Sequence, residues 1–335
     1  MALAAIGLWF ARNRIANAIL NDALAGVERR AKRAGVEVLD IQSDPVRIPT
    51  PFRAVLANVR ADFDLGARNR NQVRSRFEAE KTEVTLAGVF PPRVRVRLEN
   101  FSIRFQPDDL PPDFPFEVFH EGSLSSSPLS ATDPSAAMKQ VFRRFRKLFK
   151  DNRVEADFEF SGVVSVKIGP RTAKARLYTE LLPDGFRRLR FNEEDLRSLA
   201  DTSGLAISDE MVQIASLYPL RAPLMFTITW VAREESIARK QADPRFPEDA
   251  YRHVLWSFLL TKTFGPEFAK LVTDSHETLP GNTPDEHLMD YHNNAVARDL
   301  AVKGVPRTKL LHIVLKDPRV IRSPREVPGR SGLLR

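Results

Sequence analysis

The sequence predicts an α+β protein in which strands come first and helices second. Three observations predict it. Apolar residues alternate with polar ones at period two over about residues 36–105 and again over 154–181. From residue 191 the spacing changes to that of helices, with cap residues at the expected places. Strands and helices therefore segregate along the chain instead of interleaving, which argues against a parallel α/β sheet. At 335 residues and 43% hydrophobic content the chain is long enough for more than one core. The expected divisions are an N-terminal helix over 1–35, an antiparallel, long-stranded, curved sheet over 36–190, an all-helical domain over 191–318, and a disordered basic tail over 319–335.

The N-terminal segment Ala2 to Ala11 is an apolar run that ends at Arg12 and Arg14. It falls short of the ~20 residues a membrane span needs, and no basic residue precedes it as in a signal peptide. A membrane-anchoring or interfacial helix is the expectation, continued to about Ala34 by Ile15, Ile19, Leu20, Ala23, Leu24 and Val27 at helical spacing.

The strand region then opens. Ala57, Val59, Ala61 and Phe63 alternate with Asn58, Arg60, Asp62 and Asp64, the pattern of a half-buried strand. The apolar parity slips after Ala79, and again between Leu98 and Phe101. A slip inside a strand would turn side chains to the wrong face, so a bulge is expected near Glu99 and Asn100. Residues 106–137 are rich in Pro, Asp and Ser and read as a flexible insertion. Over 138–150 the apolar Phe142, Phe145 and Phe149 share a stripe with Met138, Val141 and Leu148, while Arg143, Arg144, Arg146, Lys147 and Lys150 cover the rest. This is the pattern of a helix lying on an anionic membrane surface; a basic, solvated helix packed over the sheet fits it equally. Strands resume over 154–181, broken by Gly162 and by Gly169-Pro170.

In the helical part, Asn192 and Ser208 are good N-caps and Pro223 suits a first turn. Residues 247–298 concentrate the chemistry, with His253, His276, His287 and His292 among the six histidines of the chain. Pro247 is expected to open a helix closed by Gly265; Pro266 opens a second, ending at His276-Glu277. Thr283 caps a third, with Glu286 completing a capping box. Asp249, His253 and Trp256 fall on one face of the first, and Met289, Asn293, Val296 and Leu300 on one face of the third, flanked by Asp290 and Asn294. Three short helices thus aim acids, imidazoles and amides toward one centre. Two readings stand. One is a buried hydrogen-bond network that pins the helices. The other is a site in which His253, Glu277 and Asp249 do acid/base work, His253, His276 and Asp290 hold a divalent metal, and Arg252, Trp256, Asn293 and Asn294 position a substrate. The two-histidine helical zinc motif is absent, since Thr278-Leu279-Pro280 follows Glu277. No phosphate loop, nucleophile elbow or dinucleotide fingerprint occurs, and the lack of cysteine excludes disulfides and thiolate ligands.

Two resemblances follow from these residues. Asp249-Ala250-Tyr251-Arg252-His253-x-x-Trp256, then His276-Glu277, then Met289-Asp290-Tyr291-His292-Asn293-Asn294-Ala295-Val296-Ala297-Arg298 resembles a small helical bacterial domain of unknown function, found also in toxin-like chains; that family usually has glycine where Ala297 stands. The apolar N-terminal helix, Gly35-Val36-Glu37-Val38-Leu39-Asp40-Ile41 and the alternating strands ending Leu98-Glu99-Asn100-Phe101-Ser102-Ile103-Arg104-Phe105 are similar to the start of AsmA-like envelope proteins. That second resemblance implies a membrane-anchored protein on the periplasmic side of a bacterial envelope, whose sheet binds lipid or another apolar ligand. The helical domain would then be a structural or docking module; the alternative makes it a hydrolase. A net charge of +8 favours anionic partners, a membrane surface or lipid first. Nucleic acid ranks lower, for want of an aromatic platform or binding motif. Neither a cofactor beyond the divalent metal nor a protein partner is specified.

Overall fold

A computed structural model describes residues 17, 37–50, 53–64, 73–89, 92–107, 116–119, 123–126, 129–130, 155–156, 160–183, 187–219 and 221–327. The basic stripe of 138–150 lies outside them, as does the segment 1–35 expected to be an N-terminal helix, except for Asn17, which is helical and bonds both backbone groups of Val46. Among the described residues no helix is long and apolar enough to cross a membrane.

Among the described residues twelve strands form one antiparallel sheet: β1 (Glu37–Gln42), β2 (Arg47–Thr50), β3 (Arg53–Asp64), β4 (Val73–Val89), β5 (Pro92–Pro107), β6 (Phe116–Phe119), β7 (Ser123–Ser126), β8 (Leu129–Ser130), β9 (Glu155–Ala156), β10 (Phe160–Ile168), β11 (Arg171–Leu181) and β12 (Arg187–Phe191). The main path runs β1-β3-β4-β5-β6-β10-β11-β12-β9, with β2 on β3, β8 on β5, and β7 bridging β5 and β10. The expected flexible insertion over 106–137 is thus corrected in part. Three short strands inside it pair with β5, and two of them also with β10, because the facing backbones of β5 and β10 leave hydrogen-bonding groups that β6 and β7 satisfy.

The parity slips have a different cause from the expected bulge. Asn58 and Asn100 both have positive φ, +51° and +48°. Ala57 pairs with Lys81 and Val59 with Ala79, while Ala79 pairs with Phe101 and Lys81 with Glu99. Both asparagines therefore flank Glu80, in an unbroken register. A left-handed residue turns the strand without inserting an extra one, and asparagine tolerates that conformation best among residues with a side chain. Asn100 donates its amide to Glu80, and Asn58 to Asp44. The slips on β4 and β5 thus meet at Glu80, which lies between the two left-handed asparagines.

Seven α-helices follow among the described residues: α1 (Glu193–Thr202), α2 (Asp209–Leu217), α3 (Ala222–Ala242), α4 (Glu248–Phe264), α5 (Pro266–His276), α6 (Pro284–Val302) and α7 (Leu310–Lys316). Asn192, Ser208 and Thr283 cap α1, α2 and α6, the last with a full capping box. Helix α4 is central, packed by α3, α5, α6 and α7, with Val254, Leu255, Phe258, Leu259 and Leu260 buried.

One apolar core joins the two halves. Val164, Val166, Ile168, Ala175 and Phe191 of the sheet belong to the same buried cluster as Leu196, Leu224, Phe226 and Phe258 of the helices. Packing does not break near residue 190. Asp195 of α1 accepts from the Arg176 side chain and backbone on β11, and Ser216 of α2 donates to the Phe191 carbonyl. The sheet is a wall against which the helices are set.

The expected disordered tail over 319–335 is corrected over 319–327, while residues 328–335 lie outside the described residues. Residues 319–327 cross back over α6 with Val320, Ile321 and Val327 buried. Three apolar residues spaced among arginines and prolines show no period, so composition alone concealed the packing.

Candidate functional site

Helix α4 carries Asp249, Arg252, His253 and Trp256 on adjoining turns. Residues His276 and Glu277 come from the C-terminal end of α5, and Asp290 and Asn294 from the inner face of α6. His253 is 2% exposed, Asp290 1%, and the Glu277 side chain is fully buried. Around the His253 ring the acids are arranged by nitrogen. Nε2 faces Asp249 Oδ1 at 3.6 Å and Asp290 Oδ1 at 3.5 Å, and Nδ1 faces Glu277 Oε1 at 3.7 Å. The second Glu277 oxygen is 3.3 Å from His287 Nδ1, at the more open side of the cluster. Arg252 binds Asp249, and its Nη2 lies 3.5 Å from His253 Nε2.

Burial governs the charges here. It holds the His253 imidazole well below its ordinary pKa, helped by the Arg252 and His276 charges and opposed by the Asn294 side chain. His276 is lowered to about 4 for the same first reason. Burial raises the Glu277 carboxyl, which the His287 contact opposes. Burial also raises Asp290, with the Asp249 and Glu277 carboxylates adding to it.

The polar atoms at this centre are not satisfied by one another. His253 Nδ1, His276 Nδ1, Glu277 Oε1, Asp290 Oδ1 and both side-chain polar atoms of Asn294 are buried without a protein hydrogen bond of ordinary geometry. Such groups cost ~1–3 kcal/mol each when unpaired, and a native core holds few of them. A network that only pins helices would pair its members.

Residues 212–317 match a family model. That family is DUF6973, a domain of unknown function. The match spans α2 through α7, apart from the first residues of α2, and includes Asp249, Arg252, His253, Trp256, His276, Glu277, His287, Asp290 and Asn294. It agrees with the resemblance to a small helical domain; the AsmA-like resemblance of the strands is without support among these findings. No curated protein and no solved structure matches the chain.

The structure sorts the expected residues. Asp249, His253, Glu277 and Asp290 come together. His276 does not join His253 and Asp290 as a third ligand: its ring centroid is 6.1 Å from that of His253, and the ligand atoms that converge belong to Asp249, His253 and Asp290. Being last on α5, His276 instead packs edge-on to Trp256. Trp256 is a wall, 3% exposed and donating to Thr229 Oγ1 at 3.0 Å. Asn293 points one position round α6 from the centre, and its amide clamps both backbone groups of Ile321, at 2.8 and 3.0 Å. Both side chains thus have their polar atoms engaged within the fold. His287 was missed as a site residue, although its place three residues before Asp290 puts it one turn away on the same helix. Asn282 was missed too: its Nδ2 lies 3.4 Å from Asp290 Oδ2.

Proposed function

We propose that the DUF6973 module is a hydrolytic centre that cleaves an ester bond in an anionic substrate, with the sheet as its scaffold. The convergence of buried, unpaired polar atoms from α4, α5 and α6 carries this reading. Glu277 is the general base. Its raised affinity for protons places it closer to neutrality than an ordinary carboxyl, where acid/base exchange is most effective. It takes a proton from the attacking water as the new bond to oxygen forms. His287, against the same carboxylate and more exposed, delivers a proton to the leaving oxygen as the old bond breaks. His253 backs Glu277 from the buried side, and Arg252 supplies the positive charge that selects an anionic group.

The test is release of nitrophenol by the full chain from a bis-aryl phosphodiester and from aryl acyl esters. Glu277→Gln is expected to lower turnover by ~10²–10⁴-fold without unfolding the protein. Turnover unchanged by that substitution, or none on either substrate class, overturns the proposal.

A further inference from the structure

We propose that Asp249, His253 and Asp290 form a divalent-cation site, and that the Arg252 guanidinium stands in for the cation when none is bound. The ligand atoms are Asp249 Oδ1, His253 Nε2 and Asp290 Oδ1. One atom from each of the three residues lies within 4.8 Å of the others, and Nε2 is 3.6 and 3.5 Å from the two oxygens. Around a metal with bonds of ~2.1 Å and tetrahedral angles, ligand atoms stand roughly 3.4 Å apart, so the set closes with small side-chain movements.

Three observations beyond the clustering of acids point to a cation. Asp290 Oδ1 is buried, has no hydrogen-bond partner in the protein, and is the oxygen facing Nε2. Its other oxygen is steadied by Asn282, which leaves Oδ1 for the centre. On the far side of the ring, His253 Nδ1 faces the Glu277 carboxylate; a proton on Nδ1 leaves the Nε2 lone pair free for a metal, the arrangement of a carboxylate backing a metal-bound imidazole. Finally, a positive group already sits on these atoms. Arg252 Nη2 bonds Asp249 Oδ1 and approaches His253 Nε2, the very oxygen and nitrogen assigned to the metal.

The donor set selects the ion. Two carboxylate oxygens and an imidazole, with no thiolate in the chain, suit Zn²⁺ or Mn²⁺ better than Mg²⁺, which prefers oxygen alone and retains several waters. Three protein ligands leave positions for water or substrate. A metal taking Asp249 also releases the guanidinium of Arg252, which is then free to meet an anionic substrate beside it.

The site shares residues with the proposed hydrolytic centre, but binding is read without turnover. The full chain is stripped with chelator, then titrated separately with Zn²⁺ and Mn²⁺ by calorimetry, and its metal content is measured after dialysis. One equivalent is expected. Asp290→Asn, nearly isosteric and checked by its melting transition, should weaken binding by more than the ~10–100-fold that loss of an outer-sphere partner costs. Arg252→Gln, at the half-exposed rim, should tighten binding by about fivefold, the worth of one such ion pair. Metal held equally well by Asp290→Asn, or by neither parent nor Arg252→Gln, overturns the site. Unchanged or weaker binding in Arg252→Gln overturns the stand-in. One equivalent bound with no ester cleavage overturns the hydrolytic reading alone; undiminished cleavage by the stripped chain overturns the metal's part in it.

Discussion

His253 Nε2 lies 3.5 Å from Asp290 Oδ1, and neither residue exposes more than 2% of its surface. At that separation a neutral carboxyl and a neutral imidazole coexist, whereas a carboxylate there is desolvated and meets the Asp249 and Glu277 charges, which the Arg252 guanidinium offsets only in part. Asp290 therefore stores a cost that appears only when it ionises.

This gives a sign for stability against pH in metal-free protein. Asp290 and Glu277 have folded-state pKa values above their unfolded ones. Below the unfolded values both states hold their protons and nothing is lost. As pH rises above them the unfolded chain releases protons first, so stability falls through the neutral range and stays lost beyond the folded values. Urea midpoints of metal-free protein should favour Asp290→Asn over the parent at about pH 8, with the gap narrowing at about pH 5.

The rim histidine is the second prediction. His287→Ala removes the contact with Glu277 Oε2 that opposes the upward shift of that carboxyl. The alkaline rise of turnover, where Glu277 must be ionised, is expected to move to higher pH in the variant. An unmoved pH–rate profile would mean that His287 and Glu277 act independently.

Much of this was legible in advance, and the exceptions have physical causes. Caps are local chemistry, so Asn192, Ser208 and Thr283 marked their helices correctly. Periodicity also placed Asp290 and Asn293 on the inward side of α6, and both are buried. Helical spacing cannot say which of two adjacent inward residues reaches a centre and which reaches a crossing segment. Asn293 went to Ile321 for that reason. Likewise the parity slips on β4 and β5 were visible, but a left-handed asparagine and an inserted residue leave the same mark on a pattern of period two.

The clamp itself is testable. Asn293→Ala leaves the buried amide and carbonyl of Ile321 without their partner. A loss of roughly 2–4 kcal/mol is expected, one unsatisfied group at a time. Amide exchange at Ile321 should accelerate more than exchange in α4. Protection that survives the substitution would show that Val320 and Ile321 are held by apolar packing alone.

Whether strands and helices fold as one unit turns on a turn. Gly169, between β10 and β11, has φ of +58°, and a Cβ there would fall 2.5 Å from the indole ring of Trp230 on α3. Two effects oppose any side chain. Left-handed backbone costs an L-residue roughly 1–2 kcal/mol, and the ring cannot retreat without disturbing the core cluster it packs against. Gly169→Ala should therefore cost more than the backbone effect alone. Trp230→Ala removes the ring and loses packing of its own, yet the double variant should be more stable than the sum of the two losses implies. The coupling from that cycle measures how firmly the sheet seats α3, and through Thr229 the wall formed by Trp256. Strict additivity would mean that the close approach carries no energy, and that the sheet does not set the position of the site.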